Sequence, residues 1–140
     1  MFELDAAIVP GCSAAGIRIG QELDPLLRFL RPFETMQLHG CQRLRFPMVD
    51  LWVSDRKVEQ IGVSRGYRGR VRDKIGIGAT IAEIEAAFGS VTEDEEDNLI
   101  VAGEQGWCFE VEGYAPGRQP SECPQARISD TYVFGVERGR

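Results

Sequence analysis

The strongest constraint on this chain is a short pattern that occurs twice. Gly16-Ile17-Arg18-Ile19-Gly20 runs into Leu23, Leu26, Leu27 and Leu30, and Ile75-Gly76-Ile77-Gly78 runs into Ile81, Ile84 and Phe88. Placing Gly20 on Gly78 aligns Leu23 with Ile81, Leu26 with Ile84 and Leu30 with Phe88. Steps of three and four residues put these apolar side chains on one side of a helix. Short helices are therefore expected over residues 22–30 and 80–88. With 140 residues, near the common size of one domain, the chain reads as a single domain of two half-repeats, residues 1–66 and 67–140.

The punctuation around the helices supports these bounds. Thr80 followed by Glu83 has the form of a capping box, in which each side chain satisfies an N–H that the helix start leaves free. Gly89 follows Phe88, where a left-handed cap is expected. Asp24-Pro25 opens the first helix, since proline costs nothing where its missing N–H would be unpaired. Arg31-Pro32 closes it, because the residue before proline leaves helical backbone.

Strand signals follow each helix. Val49, Leu51 and Val53 alternate with Asp50, Trp52 and Ser54, and a polar Asp55-Arg56-Lys57 turn leads into Val58 to Val63. Later, Asn98 to Ala102 is one run. Trp107, Phe109 and Val111 alternate with Cys108, Glu110 and Glu112, and Ile128 to Phe134 closes the pattern. Alternation of this kind gives one buried and one solvated face. The expected class is α+β: two tandem helix-plus-antiparallel-strand repeats forming one sheet layer, with two short helices packed on it.

Ile75 to Gly78, Thr80, Ile84, Phe88 and Gly89, with a fainter copy from Ile17 to Leu30, follow the pattern I-x-I-G-x-[ST]-x-x-[EV]-[IV]-x-x-x-[FL]-G. Followed by strands, this resembles the small repeat of the outer-membrane assembly lipoprotein family. Two such repeats in tandem resemble the β-lactamase inhibitor protein family. In size, acidity and absence of motifs the chain is also similar to bacterial immunity proteins. The resemblance implies a fold and, through the inhibitors and immunity proteins, a role in binding another protein.

Composition narrows the classes. The chain is 43% hydrophobic and 27% charged, which suits a folded globule rather than a disordered chain. No stretch approaches the roughly 18 apolar residues of a membrane span. The start, Met1-Phe2-Glu3-Leu4-Asp5, is acidic where a signal peptide is basic, so a cytoplasmic protein is expected. Val9-Pro10-Gly11-Cys12 has the look of a lipidation box without the basic start or long apolar run that such a box follows.

Charge is unevenly spread. Residues 1–70 hold ten Arg/Lys against eight Asp/Glu, and residues 71–140 six against fourteen. An acidic second half argues against nucleic acid, whose phosphates need clustered cations. It suits a basic protein partner.

Chemistry is sparse. Cys12, Cys41, Cys108 and Cys123 form no CxxC pair and are expected to be reduced thiols. His39 and Cys41 match no common zinc spacing, and no metal or cofactor is implied. His39 is the only histidine, and neither Ser13 nor Ser54 sits in a G-x-S-x-G context. Gly76-Ile77-Gly78 lacks the third glycine of a dinucleotide fingerprint. No clustered acid, base or nucleophile can be assembled, so an enzyme is not expected.

Three segments remain as candidates. Glu93, Asp94, Glu95, Glu96 and Asp97 are consecutive carboxylates that repulsion keeps in water, suited to docking on a basic surface. Trp52 and Tyr114 are the aromatics expected to anchor beside them. Arg65, Arg68, Arg70 and Arg72, around Tyr67, form an alternative basic site for a small ligand or nucleic acid. Their position between the repeats reads as an exposed hairpin or linker. The Pro/Gly-rich run from Gly113 to Gln125 reads as a binding loop or a disordered one. The expected function is a non-catalytic protein-binding module, an immunity or inhibitor protein that blocks a basic partner.

Overall fold

The alternating segments are strands, as their periodicity requires. In a computed structural model that describes residues 1–114 and 117–136, a small hairpin comes first, β1 (Ser13–Ala14) with β2 (Ile17–Arg18). Its turn, Ala15-Gly16, has φ of 56° and 78° at the two positions, the left-handed pair that matches strand twist. Helix α1 (Leu23–Leu27) leads to a four-stranded meander, β3 (Glu34–Leu38), β4 (Cys41–Phe46), β5 (Val49–Ser54) and β6 (Lys57–Ser64). Helix α2 (Ile81–Phe88) leads to a second meander, β7 (Val91–Glu93), β8 (Leu99–Val101), β9 (Trp107–Glu112) and β10 (Arg127–Phe134). The last strands of the two meanders pair antiparallel, Thr131 opposite Val63 and Val133 opposite Ile61. The result is one eight-stranded sheet in the order β3-β4-β5-β6-β10-β9-β8-β7.

This corrects the α+β class expected from the sequence. The protein is mostly β, and its helices hold only five and eight residues. Helix α1 stops well short of residue 30, and its first N–H, that of Leu23, is taken by Arg56 O at 2.9 Å rather than by a capping side chain. Glu22 at its start makes no side-chain cap bond, and its last turn carries no basic residue. Helix α2 has the expected cap: Glu83 N–H donates to Thr80 Oγ1 at 3.1 Å, and Thr80 N–H donates to Glu83 Oε1 at 3.0 Å. Gly89 ends it with φ 113° and ψ −169°, a positive φ outside the left-handed helical region that was expected. Thr80→Ala should lower stability by about 0.5–2 kcal/mol. A urea melt indistinguishable from wild type would show that the bond is not made in solution.

Two short helices also do not make the covering layer that was expected. Much of it is chain outside the main sheet, residues 2–20 with the β1–β2 hairpin and residues 65–79. Ile8, Ala15, Ile17, Tyr67, Val71 and Ile75 are buried with the inward strand residues Leu51, Ile61, Phe109 and Val133 in one cluster. The connecting strap is stitched by its backbone, with Arg68 N–H donating to Leu4 O at 2.9 Å and Ile8 N–H to Arg70 O at 3.0 Å. Tyr67, read from sequence as part of an exposed linker, is 4% exposed. Its hydroxyl accepts from Ala15 N–H at 2.8 Å and donates to Ala6 O at 2.5 Å. A buried tyrosine needs such partners for its polar end.

Candidate functional site

The same alternation that buries one face of the sheet leaves the other open. Along it lie Arg43 and Arg45 of β4, Asp50 and Trp52 of β5, Gln60 and Gly62 of β6, Asp130 and Tyr132 of β10, and Cys108 and Glu110 of β9. Their neighbours are fixed by register: Arg43 opposite Trp52, Asp50 opposite Gly62, Gly62 opposite Tyr132, and Asp130 opposite Glu110. Part of this face forms a groove of about 1130 Å³.

An aromatic pair forms the floor. Trp52 and Tyr132 meet edge to face with ring centroids 5.7 Å apart, the geometry aromatic quadrupoles favour. Gly62 lies between them, and a Cβ there would come within 3.0 Å of both rings. The guanidinium of Arg43 lies over Trp52, 4.8 Å from the ring centre, and bonds Asp50 at 2.5 and 2.9 Å. The Tyr132 hydroxyl donates to Glu110 Oε1 at 2.5 Å. Burial, and then this bond to a carboxylate, hold the Tyr132 hydroxyl protonated well above the ordinary tyrosine range.

Acidity concentrates here. Cys108 is buried, and that burial, with Asp94, Glu110 and Glu96 nearby, pushes its thiol up to about 12. A thiol of that kind is a poor nucleophile at neutral pH. Partial burial raises the Asp130 carboxyl above its ordinary value, with Glu110 and Asp50 adding to the rise while Ser129 and Arg43 oppose it. The folded chain thus holds the Asp130 proton more tightly than the unfolded chain. The stability this contributes is complete below about pH 3.8 and is lost as pH rises through the raised folded value. Asp130→Asn should therefore be more stable than wild type at neutral pH and equal to it in acid. Thermal melts at the two conditions measure this, and a constant gap would mean that charge is not the cause.

The structure brings part of the expected acidic site to this groove. Asp94, Glu95, Glu96 and Trp52 line it together. The run 93–97 is the β7–β8 turn, and its members differ in what they do. Asp94 Oδ1 accepts from the N–H groups of Glu96 and Asn98, both at 2.9 Å, and so closes the turn. Glu93, with Asp97 exposed three residues beyond Asp94, accepts the hydroxyl of Tyr114.

Tyr114 is not among the groove residues. Its hydroxyl also lies 2.7 Å from Arg118 O, and the bond to Glu93 leads the causes that raise it to about 12. It ties down the loop after β9. Of the Gly113–Gln125 run, Ala115 and Pro116 lie outside the described residues, and Pro120–Glu122 is a 3-10 turn with Pro120 buried.

The basic run forms a different surface. Arg65, Arg68, Arg70 and Arg72 are all exposed, but three are already engaged. Arg65 pairs with Glu112 at 3.3 Å, Arg68 with Asp5 at 2.5 Å and Arg72 with Glu104 at 2.6 Å. Arg72 also lies over Phe88, 5.3 Å from the ring centre. His39 is exposed in the β3–β4 turn, and all four cysteines are free thiols. Among the described residues no group of three His, Cys, Asp or Glu is placed to hold a metal.

Sequence reasoning missed Arg43, Asp50, Gly62, Glu110, Asp130 and Tyr132. Their one signal was that each is a polar, aromatic or glycine position alternating with a core residue, which reads as an ordinary solvated face.

The architecture is thus an eight-stranded antiparallel sheet with one covered face and one open, aromatic and carboxylate-lined face. It is similar to the crystal structure of the uncharacterized protein yfeY from Escherichia coli. The two share a TM-score of 0.65 and 11% identity over 92% of this chain and 99% of that one, a likeness of fold alone. No family model and no curated protein matches the sequence. No helix among the described residues is long and apolar enough to cross a membrane.

Proposed function

We propose that this protein is a non-catalytic, cytoplasmic protein-binding module of the immunity or inhibitor kind, which blocks a basic partner. The observation that carries the reading is that Asp94, Glu95 and Glu96 line one groove with Trp52. Protein interfaces combine such an aromatic anchor with a charged rim: the anchor holds the complex and the rim steers encounter. The engagement of Arg65, Arg68 and Arg72 by carboxylates favours the acidic surface over the basic run as the contact.

The test uses the carboxylates that do not hold the turn together. Glu95→Gln with Glu96→Gln should leave the melt unchanged, since solvated charges contribute little to stability. With a basic partner co-purified from the native host, the double variant should associate about tenfold more slowly at low salt, the deficit shrinking as salt rises. Trp52→Ala should act instead on dissociation. An association rate unchanged by the double variant refutes the reading.

A further inference from the structure

The open face carries more negative charge than its own cations balance. Five carboxylates line the groove, Glu59, Asp94, Glu95, Glu96 and Glu110, against two cations, Arg43 and Lys57. Arg43 is committed to Asp50, which also lies 3.7 Å from Arg45. Glu110 and Asp130 face each other across β9 and β10, beside the Trp52–Tyr132 pair, and neither is in an ion pair among the described residues. The carboxylate of Asp130 is half-buried with no ion-pair partner among those residues, which is costly, and that burial raises its proton affinity although Arg43 opposes the rise. The ring of Tyr132 adjoins both groups.

Resting on the protein-binding reading, we propose that the groove receives an extended arginine- or lysine-bearing segment of the partner. One cation of that segment seats against Tyr132, with Glu110 of the groove lining on one side and Asp130, just outside the lining, across from it. Aromatic faces and paired carboxylates are together the surroundings that replace water around a guanidinium or ammonium. At about 1130 Å³, the groove exceeds the usual small-molecule pocket of roughly 300–1,000 Å³, which suits a chain segment. A second copy of this protein is a poor occupant, because three arginines of its own basic run are spent on internal carboxylates. A nucleic acid would meet repulsion from every lining carboxylate.

The experiment titrates acetylated hexa-arginine into the whole chain and follows affinity by calorimetry and position by amide chemical shifts. Three proteins are compared: wild type, the seat variant Glu110→Gln/Asp130→Asn, and the rim variant Glu95→Gln/Glu96→Gln, which removes the same charge. The expected result is shifts centred on β9 and β10 around Tyr132. The seat variant should weaken binding by about tenfold or more and keep most of that loss at high salt. The rim variant should lose only a few-fold, and salt should abolish the difference. Trp52→Ala, a substitution on the open face, gives a second reading of the seat, with the same expected loss. Equal weakening by seat and rim variants, shifts away from the groove, or no binding by wild type would overturn the proposal. A partner protein whose association still depends on Glu95 and Glu96 would then leave the broader reading standing. Indifference of that partner to all four carboxylates would remove both.

Discussion

Phe109→Ala is expected to lower the stability of this protein by about 3–5 kcal/mol, a large part of the roughly 5–15 kcal/mol that holds a domain folded. Phe109 is fully buried in β9. It pairs with Thr131 of β10 on one side and Leu99 of β8 on the other. Its ring lies 5.5 Å from that of Trp107, which meets Phe88 of α2 edge to face at 6.2 Å. Truncation would leave a cavity bounded by three elements whose backbones are hydrogen-bonded and cannot collapse inward. Urea denaturation measures the loss. A change under about 1 kcal/mol would mean that Trp107 and Phe88 repack into the space, against the usual cost of such cavities.

Gly69→Ala should be nearly as damaging, although it adds only a methyl group. A Cβ at this position would lie 1.8 Å from the carbonyl oxygen of Ala6 and 2.7 Å from the Tyr67 ring. Neither can yield cheaply. Gly69 N–H donates to Leu4 O at 3.2 Å, and the Tyr67 hydroxyl is held by Ala6 and Ala15. The added atom must therefore push the N-terminal segment off the strap that runs from β6 to α2. Overpacking typically costs 1–3 kcal/mol, and a clash with backbone belongs at the upper end, about 3 kcal/mol or more. Gly103→Ala is the control. It has φ of 82° but nothing within 4 Å, so only the backbone cost of about 1–2 kcal/mol applies. Equal losses for the two variants would show that the strap moves freely.

Much of the local structure was legible in the chain itself. Period-two alternation located β5 and β9, because a strand that buries one face must place an apolar residue at every second position. Thr80 and Glu83 marked the start of α2, because the capping box is a contact within four residues and needs nothing from the rest of the fold. The apolar stripe of the first half was equally visible, yet it did not make a nine-residue helix. Leu30 lies beyond the end of α1 and is partly buried against the core. Helices this short owe their length to tertiary packing more than to propensity, so the mostly β character of the protein could not be read from periodicity.

The groove belonged wholly to the tertiary structure. Trp52 and Tyr132 meet only because β6 pairs with β10, a contact between strands more than sixty residues apart in sequence. One step of register would have turned Tyr132 and Asp130 into the core and Thr131 out of it. That register follows from burial on the other face, where Val63, Ile61, Thr131 and Val133 must all point inward. The acidic run and the basic run were both conspicuous in sequence, but charge along a chain does not say what it faces. Folding set Arg65, Arg68 and Arg72 against Glu112, Asp5 and Glu104. It left Glu110 and Asp130 across from each other on the open sheet, because cross-strand neighbours are chosen by the packing of the buried face and not by their own attraction.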